Sequence, residues 1–248
     1  MRRILVCSIA AIALIAAATA IAAGDSYTAT TKIAPSKGGT AAAPVPISLT
    51  TNYKVTPTPP NRAGVLLDIK NSWAGLQVNG NLFPVCTAAT INAAQSDKGC
   101  KASSLVGTGS LTAVLGPHTD PTNAGAECDR DIKVYNGGKG KLVFTLAGDP
   151  AKCLSITFLP AFEATYKVSG GKLLLDAPIP RFISHPLGLD GSLKTEVISY
   201  KRLTKKVKGK VRGFFESVSC KGGKRAYKTT FKTATQTSTV PGTLKCSK

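Results

Sequence analysis

The sequence predicts an all-β protein, a β-sandwich of immunoglobulin-like or related type, and three observations support this fold class. Many short runs rich in β-branched residues follow one another closely, and Gly, Pro or Asn ends each run. Helical spacing with a cap is found only once. The cysteines beyond the N-terminal segment are even in number, which fits a disulfide framework. We therefore expect at most one short helix in the mature chain, in addition to an N-terminal signal helix.

Residues 1–22 are predicted to form a cleavable signal peptide. Arg2 and Arg3 supply its basic start, residues 4–18 carry no charge, and Ala20-Ile21-Ala22 offers small residues at the cleavage site. The apolar run is short and Ala-rich for a membrane span, which disfavours a retained anchor. The sequence thus predicts a secreted protein, extracellular or associated with the cell surface.

Two further regions are predicted after the signal peptide. Residues 23–45 form an extended leader or linker, in which Pro, Gly, Ser and Ala dominate from residue 35 onward. Residues 46–248 are predicted to form a single β-rich domain, which could be divided into two sub-sheets. Its C-terminal part, residues 194–248, is basic.

Period-two alternation and short apolar runs predict the strands of this domain. The segment 132–146 predicts a hairpin with a Gly-rich turn, and residues 87–95 predict the one short helix, capped by Thr87 or Thr90. The predicted strands are 47–55, 65–69, 104–115, 132–135, 142–146, 154–159, 163–168 and 173–175.

The cysteines predict three disulfides. Cys7 leaves with the signal peptide, and the remaining six fall into three close pairs with 13, 24 and 25 intervening residues. An even count in an exported chain favours disulfides, and the absence of a CxxC or CxxH spacing disfavours zinc. The spacing favours sequential pairing. The predicted pairs are Cys86 with Cys100, Cys128 with Cys153, and Cys220 with Cys246.

Positive charge is concentrated near the C-terminus. The chain has 32 Lys and Arg against 13 Asp and Glu, and loss of Arg2 and Arg3 leaves a net charge of +17. Residues 194–248 hold 15 of the basic residues and only Glu196 and Glu216 as acids. Such asymmetry indicates anionic partners or a solvated basic face.

Charges alternate along two predicted strands of this basic region, 206–212 and 225–235, with the turn 220–224 between them. Because side chains alternate across a strand, each strand would carry its cations on one face and turn Val207, Val211 and Phe215, or Tyr227 and Phe231, toward the core. If the two strands pair, their cations could share a face. The predicted polyanion-binding residues are Lys206, Lys208, Lys210, Arg212, Lys228 and Lys232.

Two interpretations of this basic surface stay open. A lysine-rich outer face discourages edge-to-edge aggregation of a β-protein. The same face could bind an anionic cell-wall polymer or polysaccharide. Nucleic acid is disfavoured, because aromatic side chains that could stack on bases are few and are predicted to face inward.

The sequence contains no recognisable catalytic motif. His118 and His185 are the only histidines, and both are predicted to be loop or surface residues. No Gly-x-Ser-x-Gly elbow accompanies them, and Ser184 beside His185 does not by itself indicate a triad. Trp73, the only tryptophan, is predicted to pack near a strand end.

Carboxylates cluster in one part of the sequence. Asp129 and Asp131 could bind a calcium ion, but Arg130 between them could neutralise the pair instead. We therefore predict no catalytic residue, no cofactor and no metal ligand. The clustered carboxylates are Asp120, Glu127, Asp129 and Asp131.

Three segments carry a resemblance to a known group: residues 82–86, which end in Cys86, residues 100–109, which begin with Cys100, and the Lys-rich end between Cys220 and Cys246. Over about residues 47–248 the chain resembles uncharacterised secreted, cysteine-containing β-sandwich-like proteins of high-GC Gram-positive bacteria. It departs from them in having Thr87 and Lys101 where proline often follows the first two cysteines. The resemblance implies a sandwich with structural cysteines and no assigned activity.

The sequence as a whole predicts a secreted, non-enzymatic β-protein of the cell envelope or extracellular space, binding anionic polymers through a lysine-rich β-face. The alternative is a secreted hydrolase without a recognisable motif. A carbohydrate-binding or adhesion module is a third interpretation, which differs from the first mainly in its ligand.

Overall fold

The computed structural model describes residues 24–148, 153 and 159–247. This part of the chain is all-β, as predicted, with fifteen strands and one helix longer than a single turn. The predicted signal peptide and most of the predicted strand 154–159 lie outside the described residues. The α-helices of the described ranges are α1 (Ala88–Ala94) and the one-turn α2 (Arg181–Ser184). The strands are β1 (Ser26–Ala34), β2 (Val45–Thr56), β3 (Asp68–Ala74), β4 (Leu76–Val78), β5 (Leu105–Pro117), β6 (Ala126–Gly138), β7 (Lys141–Ala147), β8 (Phe162–Ser169), β9 (Lys172–Pro178), β10 (Leu189–Tyr200), β11 (Thr204–Val207), β12 (Lys210–Gly213), β13 (Phe215–Ser217), β14 (Lys224–Lys232) and β15 (Thr237–Lys245).

Thirteen of these strands form one antiparallel sheet. Its order is β15-β14-β3-β9-β8-β7-β6-β5-β10-β2-β13-β4, and β1 pairs with β2 off this path. Sheets of more than about ten strands fold over or split. Here the sheet folds over, because one apolar cluster joins Trp73 of β3 and Leu173 of β9 to Ile47 of β2 and Ile198 of β10. The two halves of the sheet thus face each other across a shared core, in the manner of a sandwich.

Part of the region 23–45 that was expected as an extended leader, Ser26–Ala34, is a strand of this sheet. β1 pairs with β2 from Ser26 opposite Thr56 to Ala34 opposite Ser48. The buried Trp73 indole Nε1 donates to the Thr31 hydroxyl of β1 at 3.2 Å. The fold therefore already includes β1, and Trp73 is a packing residue, as predicted.

Local predictions from sequence hold for α1 and for the β6–β7 hairpin. Thr87 is the N-cap of α1, and its hydroxyl accepts from the backbone N–H of Thr90 at 3.1 Å. β6 and β7 pair through a turn at Lys139 and Gly140, which both have positive φ. Gly accepts that backbone region without strain, which explains the Gly-rich signal.

Three disulfides are present, and they join neighbours in sequence. The bonds link Cys86 to Cys100, Cys128 to Cys153, and Cys220 to Cys246. The first ties the start of α1 to the turn that precedes β5, and the last ties the approach to β14 to the end of β15. Sequential pairing was the prediction from spacing.

The prediction of one lysine-rich strand at 206–212 is wrong. The chain reverses at Lys208 and Gly209, whose φ values are 47° and 77°, so that β11 and β12 form a separate two-stranded sheet. β14 pairs with β3 and β15 and not with this hairpin. Val211, expected in the core, is 55% exposed, whereas Phe215 and Phe231 are buried as predicted.

Candidate functional site

The predicted polyanion-binding residues do not form one patch. Lys206 and Lys210 are exposed on the β11–β12 hairpin, and Lys208 lies in its turn. Arg212 is engaged elsewhere: its Nε and Nη2 each donate to the fully buried Glu216 carboxylate at 2.9 Å. The hairpin therefore offers exposed lysines without the row that the sequence suggested.

The two cations predicted on β14 are both exposed, and one of them lies in a broad concave depression of about 800 Å³. This depression, the lysine trough, covers the outer face of β14, β3, β9 and β8. Lys228 lines it, whereas Lys232 lies beyond it, opposite Asp68 of β3. Sequence reasoning missed the lysines of β3, β8 and β9, because only strand pairing brings them to one face. The trough is lined by, among others, Lys70, Ser72, Lys167, Lys172, Leu174, Asp176 and Lys228.

Charges in the trough are only partly compensated. Lys70 Nζ lies 2.6 Å from Asp176 and 3.0 Å from Asp68, and the hydrogen bonds to Asp176 and then Asp68 raise the pKa of Lys70. Burial is the largest influence on Asp68 and raises the pKa of its carboxyl. Lys167, Lys172 and Lys228 make no ion pair or side-chain hydrogen bond with any described residue.

A second constellation gathers the only two histidines of the chain around one carboxylate. His118 Nδ1 lies 3.0 and 3.2 Å from the two carboxylate oxygens of Asp190, and His185 Nδ1 lies 2.8 Å from Oδ1. The imidazole rings meet edge to face at 6.0 Å between centroids. Within the described ranges, this is the one group of three or more His, Cys, Asp or Glu side chains whose donor atoms converge, all within 4.8 Å. Both histidines lie in loops, as predicted, His118 in an exposed turn and His185 in a bend, but their meeting at Asp190 was not predicted.

Strand register explains this convergence. β5 and β10 are antiparallel neighbours in which Pro117 faces Leu189 and Gly116 faces Asp190. His118 therefore leaves the end of β5 beside the start of β10, although 72 residues separate it from Asp190. His185 and Asp190 are close in the sequence, but nothing in the sequence indicated that His118 would join them from the neighbouring strand.

Arg62 holds the loop that carries His118. Its guanidinium donates to the carbonyl oxygens of Pro117 at 2.8 Å, Asp120 at 2.9 Å and Asn123 at 2.6 Å. A side chain at Gly116 would collide with this guanidinium, since a Cβ there would lie 2.4 Å from Arg62 Nη1. Glycine at this position thus permits the close approach that fixes the loop.

The other groups considered from sequence do not assemble a catalytic site. Ser184 Oγ donates to the carbonyl of Arg181 at 3.4 Å, and the His185 ring faces Asp190 instead of this hydroxyl. Asp129 and Asp131 are exposed on β6.

The remaining clustered groups have other environments. Arg130, between those two carboxylates in sequence, is buried on the opposite face, where its Nη2 donates to the carbonyl of Cys153. Glu127 pairs with Lys194, and Asp120 accepts from residues of its own loop.

An apolar cavity of about 100 Å³ adjoins the histidine cluster. Leu115, Ile132 and Phe144 are among its apolar lining residues, and Ser184 and Pro186, on either side of His185, also line it. The carboxyl group in its wall is Glu196, which points inward from β10.

Glu196 is the least compensated interior acid. It retains some accessible surface because it faces the cavity, yet it lies deep in the protein. No hydrogen bond or ion pair reaches it from the described residues. Tyr53 lies directly opposite on β2, but its hydroxyl donates to Asn71 Oδ1 at 2.9 Å. Burial raises the pKa of Glu196 to about 7.

No helix in the described ranges is both long and apolar enough to span a bilayer. No protein-family model matches the chain, and no match was found among curated proteins or among solved structures. The resemblance suggested by residues 82–86, 100–109 and 220–246 therefore stays a prediction, and functional inference rests on the sites themselves.

Proposed function

We propose that this is a secreted, non-enzymatic β-protein that binds anionic polymers, such as acidic cell-wall polymer or polysaccharide, through the lysine trough. The observation that carries the proposal is the concave face on which Lys167, Lys172 and Lys228 have no carboxylate partner among the described residues. Unpaired like charges on one sheet face repel each other, and a bound polyanion would relieve that repulsion.

The spacing of the lysines suits an extended ligand. Lys228 lies opposite Ser72, Ser72 opposite Leu174, and Leu174 opposite Lys167. Three interstrand steps of about 4.8 Å put the Cα atoms of Lys228 and Lys167 roughly 14 Å apart. A polymer with repeated negative charges can reach both, whereas a single small anion cannot.

The composition of the trough favours an acidic polysaccharide or wall polymer over nucleic acid. Leu174 offers an apolar surface between the lysines for the face of a sugar ring. The Tyr227 hydroxyl is turned inward to the Ala29 carbonyl, and Tyr166 packs against the main core. Neither ring is therefore displayed for stacking on bases.

The disulfides support the secreted part of the proposal through the compartment they imply. Three disulfides are typical of proteins that fold in oxidising surroundings. Outside the cell, the net charge of +17 that the mature chain would carry meets polyanions of the envelope.

The test compares two triple variants that remove equal charge from different surfaces. The trough variant carries Lys167→Ser, Lys172→Ser and Lys228→Ser. The matched hairpin variant carries Lys206→Ser, Lys208→Asn and Lys210→Ser, with Asn at 208 because that residue has positive φ. Affinity for purified anionic wall polymer and for heparin is measured by titration at low and at moderate salt.

We expect the trough variant to bind at least about tenfold more weakly at low salt, since three charge contacts of roughly 0.5–1 kcal/mol each are lost. The hairpin variant should change affinity by less than about twofold, and moderate salt should abolish binding by the wild type. Equal losses in both variants would show that net charge alone drives retention and would overturn the assignment to the trough. A wild-type protein that binds neither polymer would overturn the function.

A further inference from the structure

We propose that His118, His185 and Asp190 form a binding site for a divalent transition-metal ion of the zinc class, at the edge of the apolar cavity. This site lies outside the lysine trough and shares no residue with it. Either proposal can therefore fail without the other.

The donor set determines the class of ion. Two imidazole nitrogens and one carboxylate oxygen suit Zn²⁺ and its neighbours in the first transition row, whereas Ca²⁺ and Mg²⁺ prefer sites built only from oxygen. No second carboxylate joins the group within the described part of the chain. The set therefore favours an imidazole-binding ion over a hard alkaline-earth ion.

The geometry is close to that of a loaded site. Zinc lies about 2.0–2.1 Å from nitrogen and oxygen ligands, so that two ligands of a tetrahedral ion lie about 3.3 Å apart. The two histidine Nδ1 atoms lie 3.0 and 2.8 Å from Asp190 Oδ1. The two histidine-to-Asp190 separations need to widen by only a few tenths of an ångström to reach metal-ligand spacing, and all three donor atoms already lie within 4.8 Å of one another.

The arrangement is more ordered than a surface contact requires. The His118 side chain is 72% exposed, yet its Nδ1 is directed at the Asp190 carboxylate. An exposed ion pair of this kind contributes little to stability on its own. The loop is nevertheless fixed by three hydrogen bonds from Arg62, and the exposure of His118 leaves an entry path for an ion.

Three protein ligands leave a coordination position free. Structural zinc sites use four protein ligands, whereas sites that bind water or a further ligand use three. Ser184 and Pro186 flank His185 and line the cavity, and Gly191 follows Asp190 there. The site thus adjoins an apolar cavity through the neighbours of His185 and Asp190, which suits a ligand with one donor atom and an apolar body.

The first experiment uses the untagged wild-type protein and ZnCl₂ as the probe. Because the chain has only two histidines, long-range ¹H–¹⁵N spectra show two imidazoles, and the spectrum of His118→Ala assigns them. We expect both imidazoles to shift together and to saturate at one equivalent of zinc. Unchanged resonances, or a shift of His118 alone, would overturn the site.

The second experiment measures zinc affinity by calorimetry in two variants. His118→Ala removes an exposed ligand that the core does not need. It should weaken zinc binding at least tenfold, because loss of a residue that only supports a metal ligand already lowers metal affinity about tenfold or more. Asp129→Asn, an exposed carboxylate on β6, is the control and should leave affinity unchanged. Wild-type affinity in His118→Ala would contradict the proposal.

Discussion

Glu216 and Glu196 lie in two regions of the same fold whose surroundings shift the pKa of an interior carboxyl group in opposite directions. Glu216, in β13, is fully buried and accepts from Arg212 twice, from the Gly213 backbone at 2.7 Å and from Gln77 at 2.7 Å. Burial alone would raise the pKa of Glu216, but these donors together hold it below its ordinary value. Glu196, in β10, has no donor among the described residues, and burial raises its pKa to about 7.

The difference distinguishes a carboxylate that stays charged as part of the structure from one whose protonation can change. A buried ion stabilises a fold only when its partners replace the water it has lost, and Glu216 meets that condition. Glu196 instead faces a cavity and changes its protonation near neutral pH. Interior acids of this second kind are a usual mark of ligand sites, and this one lies on the strand that also carries Asp190.

Removal of the partner of Glu216 should have the largest effect. In Arg212→Met, the buried carboxylate loses its counter-charge, and we expect the free energy of unfolding at pH 7 to fall by roughly 3–5 kcal/mol. Denaturant titration measures the change. Arg202→Met, which truncates an exposed arginine, is the control and should cost less than about 0.5 kcal/mol. Equal costs in the two variants would mean that Glu216 does not depend on Arg212.

Neutralisation of Glu196 should stabilise the protein, with a pH dependence that identifies the cause. The unfolded carboxyl loses its proton near pH 4.5 and the folded one near pH 7, so that the folded state binds more protons between these values. Stability therefore falls as pH rises from 4.5 to 7 and is constant above. We expect Glu196→Gln to gain up to about 3 kcal/mol at pH 8 and almost nothing at pH 4.5.

The matched control for this pH profile is Glu127→Gln. Glu127 is exposed and pairs with Lys194, so its neutralisation should produce no gain between pH 5 and 8. Urea titrations of both variants across that range make the comparison. A pH-independent change in Glu196→Gln would contradict the assignment of the raised pKa to burial.

The smallest effect concerns the tyrosine that lies opposite Glu196. The Tyr53 hydroxyl and the Thr229 hydroxyl both donate to Asn71 Oδ1, so Tyr53→Phe removes one of two donors and should cost about 1 kcal/mol. Tyr27→Phe is the control, because the buried Tyr27 hydroxyl has no hydrogen-bond partner within the described ranges and its loss should be neutral or slightly stabilising. If both variants cost the same, the hydroxyl of Tyr53 is not held by Asn71.

Sequence patterns predicted the features that depend on neighbours along the chain. The cap of α1 at Thr87 and the β6–β7 hairpin are of this kind. The prediction of one strand for the lysine-rich segment was wrong for a local reason that is visible in the sequence. Gly209 follows Lys208, and Lys-Gly can form a tight turn inside an alternating pattern. Alternation alone cannot distinguish one strand from two that fold back on each other.

The candidate sites could not be predicted in the same way. The lysine trough requires Lys228, Lys172 and Lys167 to meet through the pairing of β14, β3, β9 and β8. The histidine cluster requires the register of β5 against β10. Only the pairing of β8 with β9 is local, through the turn at Gly170 and Gly171. The pairings of β14 with β3, of β3 with β9 and of β5 with β10 join segments far apart in sequence, so they leave no trace in the spacing of the residues.

The sequence by itself thus determined the all-β class, the single helix and the disulfide framework, since these follow from periodicity, capping and cysteine spacing over short stretches. Tertiary structure alone decided which charges are neutralised and which stay available. Arg212 is neutralised by Glu216 four residues away, while His118 reaches Asp190 across 72 residues. The short connection between β12 and β13 sets the first distance and the pairing of β5 with β10 sets the second, and electrostatic and metal-ligand chemistry depend on such distances in space.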